Sequence, residues 1–552
     1  MKIIATLQAD LERTPLGTRS RLADDLCGIP VLRRTVERLQ AVRHLEKVFV
    51  LCPEPQRDQC ASLLDGTAAQ VLAVQAALPR WATLVQTARK WSLQGWRGGV
   101  GGATFFDEFI DCRVLAGLLQ TVDADLVLAV PPAGALFDPA LADRMIDHKL
   151  ELRNDFRLVF SQTPPGLSGV LMESGLIREL SENLSPVGWV FTYQPDTPKK
   201  DLILEACCFE VPRELRHAVG RLSADTDRSV ETIREWLQDH DATDAAEVGR
   251  WLIERKGVRV EPVPCEVEIE LTTDDPYPDA VLRPRGSRLE ARGPIDPAIV
   301  EHVAECISQY DDALLILGGF GDPLRHPAFE SVLKAAARCF SSDRRVYGLA
   351  IRTAAVDLTD AQIELMVECR VDVLAIVLDG WTSECYTRLQ SPNNPDSANL
   401  AAILAKIDRV AEIRQRLDSP FPIVLPEFTK ARENADELDD FHDGWIRRLG
   451  AVMIGATGPY AGQFEDHRMI DMSPPSRFGC RRIASRCCVL ADGRVTACDQ
   501  DFHGRSLMGR IPNQSLKEIW QGDAFSSLRS AHAEGQFDVS PICAACTEWH
   551  RS

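Results

Sequence analysis

The chain has 552 residues, 45% of them apolar and 26% charged; at about 150 residues per domain this is material for three to four domains, which excludes one small module and wholesale disorder. Acidic residues (81) outnumber basic ones (62), giving a net charge of −19, so neither a nucleic-acid backbone nor an anionic membrane surface is an expected partner. The N-terminus MKIIATLQADLER reaches charge too soon for a secretory leader, and no apolar run approaches the ~18 residues of a membrane span, so the expected compartment is the cytoplasm.

The first third alternates strands and helices. KIIATLQA reads as a strand, VLRRTVERLQAV carries Leu32, Val36 and Leu39 at helical spacing, and KVFVLCP follows as a second strand. This is a β-α-β unit of a Rossmann-like, mostly parallel sheet. DLVLAVPP (125–132) is a further strand, GWRGGVGG (95–102) is either a mobile loop or a backbone approach site, and 222–245 is acidic and helical. The first domain is expected to span 1–258.

Six strands are expected in the second domain, 259–468: VEIELTT (267–273), ALLILGGF (313–320), VYGLAIRT (346–353), VDVLAIVLDG (371–380), FPIVLPEF (421–428) and GAVMIGAT (450–457). The helices between them include DPAIVEHVAECISQ, with Ile299, Val303, Cys306 and Ile307 on one face, and one opened by Thr359 and Gln362 at capping-box spacing. Such alternation builds a parallel sheet covered by helices, and six repeats suit a partial (βα)6 barrel with its site at the C-terminal ends of the strands. The remainder, 469–552, is loop-rich, poor in apolar residues and dense in cysteine, so it needs a staple such as a metal.

Of the seventeen cysteines, six fall between 480 and 552: Cys480, Cys487, Cys488, Cys498, Cys543 and Cys546. Most of the others lie scattered in apolar segments and read as buried free thiols. The tail runs Cys480, then DGRVTAC ending at Cys498, SLKEIW at 515–520, and CAAC at 543–546. Thiolates suit zinc or an iron–sulfur cluster, and a CxxC turn lets two sulfurs converge on one centre. This order resembles the SPASM domains that follow radical S-adenosylmethionine barrels. The resemblance implies that Cys480, Cys498, Cys543 and Cys546 hold one auxiliary [4Fe-4S] cluster, with zinc as the alternative, while Cys487 and Cys488 pack in the strand CCVLAD, either standing in reserve for Cys480.

A radical enzyme of that superfamily places CxxxCxxC after its first barrel strand. Here EVEIELTT is followed by DDPYPDAVLRPRG, with Asp275, Asp279 and Leu282 at the cysteine positions. Two carboxylates and an aliphatic side chain are a poor cluster site. The triad Asp274, Asp275 and Asp279 reads as a solvated acidic face in preference to a Mg²⁺ site. LGGFGDPLRHP nevertheless resembles the family's GGxGEPLxHP, which implies cofactor contacts at Gly318, Gly319, Gly321 and Asp322; a tight bend is the plain alternative. IVLDGWTSECY, with Asp379 and Gly380, resembles the family's fourth strand. Cys265 and Cys385 lack neighbours at ligand spacing and read as ordinary thiols.

The whole plan resembles the spiro-SPASM proteins: a nucleotidyltransferase-like N-terminal region, a radical-SAM-like barrel without its cysteine motif, and a SPASM tail. The opening KIIATLQADLERTPLGTRSRLADDLCGIPVLRRTVERL resembles the cytidylyltransferases. Gly17 and Gly28 fit that pattern, but Leu11 and Glu12 stand where small residues belong, Thr18 falls near the usual lysine, and LAVPPAGALFDP puts Ala133 at the metal-binding aspartate. Arg13, Arg19 and Arg21 read as solvated surface ahead of an anion site. The expectation is thus an iron–sulfur pseudoenzyme whose degenerate catalytic folds recognise a protein, peptide or nucleotide-sugar ligand or sense redox state, with catalytic residues unassigned. The alternatives are an active nucleotide-sugar transferase or an unusual S-adenosylmethionine enzyme, and S-adenosylmethionine is retained as a secondary expectation.

Overall fold

Short apolar strands alternating with one-faced helices fold here into two sheets dominated by parallel pairing. The computed structural model describes the chain except residues 75–81, 153–154, 198, 241–242, 256–260, 339–346 and 552. It divides into two compact units, one drawn chiefly from 1–258 and the other chiefly from 259–552. A domain boundary at 258 itself falls outside the described residues.

In the first unit the strands are β1 (Ile3–Gln8), β2 (Lys47–Pro53), β3 (Gln70–Val74), β4 (Leu126–Ala129), β5 (Leu158–Ser161), β6 (Val170–Glu173) and β7 (Cys208–Phe209). They form one sheet in the order β3-β2-β1-β4-β6-β5-β7. β1 pairs in parallel with both β2 and β4, whereas β6 runs antiparallel to β4. Alternate residues enter separate cores: Ala5, Leu7, Val50 and Leu128 on one face, Ile4, Phe49, Leu51 and Val127 on the other. That double burial is why these strands read as continuous apolar runs. The helix Val31–Leu39 buries Leu32, Val36 and Leu39 completely. The 95–102 stretch folds into turns ending in a short 3-10 helix, Val100–Gly102.

The second unit contains β8 (Glu266–Glu270), β9 (Ala313–Gly318), β10 (Tyr347–Thr353), β11 (Val373–Val377), β12 (Ile423–Lys430) and β13 (Met453–Ala456). These six are parallel neighbours in chain order, the strand arrangement expected of the partial (βα)6 barrel. The helix Pro297–Ile307 buries Ile299, Val303, Cys306 and Ile307. Thr359 caps the helix Asp360–Glu368, and Gln362 closes the box.

The sheet does not stop at the barrel. β14 (Arg486–Val489) adds to the free side of β8 in parallel, and β15 (Arg494–Thr496) and β16 (Leu507–Arg510) extend it antiparallel. Asp492-Gly493 makes the tight turn between β14 and β15, with Leu490 N–H donating to the Arg494 carbonyl at 2.8 Å. Gly493 has φ +81°, and a Cβ there would lie 2.2 Å from the Ile511 carbonyl oxygen, so only glycine fits. The tail gains its own apolar anchor in Trp520 and Phe525, both fully buried. Among the described residues no helix is long and apolar enough to cross a membrane.

Candidate metal centre and the barrel mouth

Three tail segments deliver thiols to one place. Cys480 follows the partly exposed 469–479 stretch, Cys498 lies two residues beyond β15, Cys543 lies in a short helix, Pro541–Ala545, and Cys546 directly follows it. Cys546 N–H donates to the Cys543 carbonyl at 3.2 Å, closing the turn between the two cysteines. Cys480 acts as an electrostatic neighbour on each of Cys498, Cys543 and Cys546, and Cys498 and Cys546 both neighbour Cys543. Burial foremost, and then this crowding, pushes the Cys543 thiol up to about 11 and raises Cys546 and Cys498 as well. Thiols raised in this way, Cys498, Cys543 and Cys546, ionise together only when a cation shares their charge.

The surroundings supply donors. Glu548 N–H reaches the Cys546 sulfur at 3.3 Å, Gln500 N–H bonds Cys498, and the Ser540 hydroxyl bonds Cys543. Arg482, tied to Asp499 at 2.8 Å, is an electrostatic neighbour of Cys498, Cys480 and Cys546. Arg477 donates to the Cys543 carbonyl at 2.7 Å and lies 4.2 Å over the Phe537 ring. His532 Nδ1 accepts from Cys480 N–H at 3.2 Å. Each of these three side chains keeps a buried nitrogen without a hydrogen-bond partner: Arg477 Nε, Arg482 Nε and His532 Nε2. Sequence reasoning missed all three; Arg477, Arg481 and Arg482 beside Cys480 were the available signal. Among the described residues no three His, Cys, Asp or Glu side chains are arranged to hold a single metal ion.

Cys487 and Cys488 sit within β14 and are 1% and 6% exposed. Cys487 faces Cys306, whereas Cys488 points to the Glu268 and Cys498 side. Burial raises both thiols. Cys385 is a core thiol, packed with Leu282, Leu389 and Ala431.

The loop after β8 closes the barrel mouth with ion pairs. Asp275 is not solvated: its side chain is 6% exposed, accepts from Tyr277 N–H at 2.8 Å and pairs with Arg285 Nε at 3.1 Å. This corrects the solvated-face reading for that residue. Burial pushes its carboxyl up to about 6, against the pull of Arg285. Leu282, two residues before Pro284, is sunk in the core, and Arg283 donates to Glu427 at 2.7 Å and Thr429 at 2.9 Å. Arg352 makes a fork onto the same carboxylate, at 2.8 and 2.5 Å. Burial works to raise Glu427, but the two guanidinium groups hold it down to about 2.

The glycine segment is likewise explained by packing. Gly319 has φ +85°, and a Cβ there would meet Glu270 Cβ at 2.6 Å; at Gly321 it would meet the Thr272 carbonyl oxygen at 2.2 Å. Gly318 ends β9. Asp322 accepts from Thr353 Oγ1 and Ala354 N–H, both at 2.8 Å, and from Leu324 N–H at 3.0 Å. The space these groups enclose with Arg283, Arg285 and Asp379 is about 20 Å³, room for one water.

In the first unit a larger cleft of about 310 Å³ opens at the carboxyl ends of β1, β2 and β4. Ala133 lines it, as do Asp10, Arg13, Arg21 and Asp225. Arg21 is buried, not a solvated surface arginine, with Nη1 on the Asp225 carbonyl and Nη2 on Asp227, both at 2.7 Å. Arg19 pairs with Asp24 at 2.9 Å and remains exposed.

Residues 480–547 match the SPASM family model, described as an iron-sulfur cluster-binding domain, and all four predicted ligands lie within the matched span. An uncharacterized protein of Treponema pallidum (strain Nichols) is 24% identical over 265 residues, covering 46% of this chain and 68% of the relative. An S-adenosyl-L-methionine-dependent 2-deoxy-scyllo-inosamine dehydrogenase of Niallia circulans is 30% identical over 77 residues, which are 14% of this chain and 31% of the enzyme. The chain therefore spans about a third of that enzyme. Among solved structures, BtrN in complex with AdoMet and 2-DOIA aligns at 16% identity and a TM-score of 0.33, covering 51% of this chain and 92% of that one. A SPASM domain thus ends an α/β chain built on two sheets dominated by parallel pairing.

Proposed function

We propose that this is an iron–sulfur protein in which Cys480, Cys498, Cys543 and Cys546 hold one [4Fe-4S] cluster, and in which the barrel, without cluster cysteines of its own, serves recognition or redox sensing instead of radical chemistry. The observation that carries the reading is the mutual neighbourhood of Cys480, Cys498, Cys543 and Cys546 inside the span that matches the SPASM iron-sulfur domain. Buried N–H groups beside the thiols, on Arg477, Arg482 and His532, would donate to the sulfurs of a bound cluster; zinc-bound thiolates would accept them too, so metal and sulfide analysis separates the two. The donor set fits: soft thiolates for iron, and two arginines against the negative charge of the assembled site. A bound cluster would supply one-electron storage; the chain's own part is to hold it, exclude water and fix its charge.

The barrel half of the proposal rests on Arg283, Arg285 and Arg352 being answered by Asp275 and Glu427 in a mouth with room for a single water. Nothing of nucleoside size enters that space without breaking buried pairs. Anaerobic iron, sulfide, zinc and 5′-deoxyadenosine measurements test both halves. About four iron and four sulfide per chain are expected, abolished by Cys546→Ser and unchanged by Asp275→Ala, with no 5′-deoxyadenosine formed on reduction. Iron lost from Asp275→Ala, or stoichiometric zinc without sulfide, would overturn it.

A further inference from the structure

We propose that the first unit binds an uncharged, largely apolar small molecule of aromatic or heteroaromatic type, and not a nucleoside triphosphate, in the cleft at the carboxyl ends of β1, β2 and β4. The place is a ligand site by topology. From β1 the chain steps to β2 on one side and later to β4 on the other, and in open α/β sheets the crevice at such a reversal is where ligands lie. The cleft of about 310 Å³ is at the lower end of the roughly 300–1,000 Å³ that small-molecule sites occupy. Leu51, Val85, Phe105, Phe109, Ile110 and Val114 make its apolar walls, beside the charged groups Asp10, Arg21, Glu108 and Asp225.

A triphosphate needs free backbone N–H groups and a cation. Here the loop after β1 answers its own donors. Glu12 and Arg13 N–H both donate to the Asp10 carboxylate, at 2.8 and 3.1 Å, and Leu11 N–H donates to Gln56 Oε1 at 2.7 Å. Gln56 in turn donates to Asp10 at 3.0 Å. Thr14, Gly17 and Ser20 N–H groups bond carbonyls of the same loop. The chain thus carries its own anion where a phosphate would sit.

The cation side is closed too. Position 133 is alanine, and Asp225 is bound by Arg221 at 2.7 and 2.6 Å and by the Ser223 hydroxyl at 2.7 Å. Glu108 is shared by Arg89 and Arg221. With its charges paired internally, the cleft offers a visitor apolar walls and no unanswered charge from these groups, so the ligand that gains most is neutral.

The full-length protein titrated with 1-aminoanthracene, an uncharged fluorescent ring compound, tests this directly. One saturable site per chain is expected, weakened at least tenfold by Val114→Trp, which fills a half-buried wall, and by Ala133→Phe. Both variants must keep the wild-type circular dichroism and melting. Calorimetry with CTP and Mg²⁺ should give no binding heat. Saturable CTP binding by the wild type, or 1-aminoanthracene signal that never saturates or is indifferent to both folded variants, would overturn the proposal. The cluster assignment is read by iron content and is untouched by either result.

Discussion

The tail cage and the barrel mouth lie in one compact unit and are built from similar materials: buried side chains brought from distant segments, with arginines among them. They differ in who answers the charges. At the mouth, Arg283 and Arg352 converge on Glu427, and Arg285 on Asp275. Both places keep buried nitrogens without a hydrogen-bond partner, Arg283 Nη1 at the mouth and Arg477 Nε, Arg482 Nε and His532 Nε2 in the tail, but only the tail gathers neighbouring thiols that burial holds protonated. Opposite charges that meet one another make architecture; grouped buried thiols lack the cation that would let them ionise together, which is the condition a bound metal group would meet. The comparison teaches that what sits beside an arginine decides whether it closes a space or leaves one to be filled. Here arginines and carboxylates fill the mouth.

The hardest test of that contrast is to break the mouth. Glu427→Ala leaves Arg283 buried without its main partner and should cost on the order of 3–5 kcal/mol in urea unfolding, with iron content retained in the folded fraction. A smaller cost, near that of an exposed pair, would mean that the mouth is hydrated and not self-satisfied.

Acid sharpens the same point, because the two carboxylates respond with opposite sign. Glu427 has its folded value depressed to about 2 from an ordinary 4.5. Its stabilisation is therefore complete above about pH 4.5 and drains away as pH falls towards 2. Asp275 is raised to about 6 from 3.8, so its contribution is full below about pH 4 and is lost as pH climbs through 6. Glu427→Gln should flatten the acid limb of the stability profile, and Asp275→Asn the limb between pH 4 and 6. Urea midpoints measured across that range separate the two; identical profiles in both variants would contradict the assigned environments.

Local pattern made much of this legible. The six barrel strands, the buried face of Pro297–Ile307 and the Thr359 cap follow from periods and caps that any short window displays. The cysteine order carried the resemblance to SPASM domains, and the SPASM match spans it. The ion pairs were hidden for a physical reason. Arg283 and Glu427 are 144 residues apart, and inside FPIVLPEF a glutamate looks like the polar end of an apolar strand. Arg21 and Asp275 read as surface because charge without a visible partner reads that way. The parallel pairing of β14 with β8 joins residues 266 and 486, a register that no local signal carries. Asp10 filling its own loop depends on backbone direction, which composition does not report.

The smallest expected effect is also the most specific to the cage. Arg482 neighbours three of the four thiols and is steadied by Asp499. If its charge and its unpartnered Nε act on the cluster, Arg482→Gln should keep iron but make reduction harder, since the added electron loses a nearby cation and a hydrogen bond. The potential should fall by on the order of tens of millivolts, within the roughly 1,100 mV range that protein environments span. Arg482→Lys, which keeps the charge without the planar fork, should recover part of the shift. A redox titration followed by electron paramagnetic resonance reads both variants. An unchanged potential in Arg482→Gln would mean that the arginine serves Asp499 alone, and that the cage, like the mouth, had balanced its own charges.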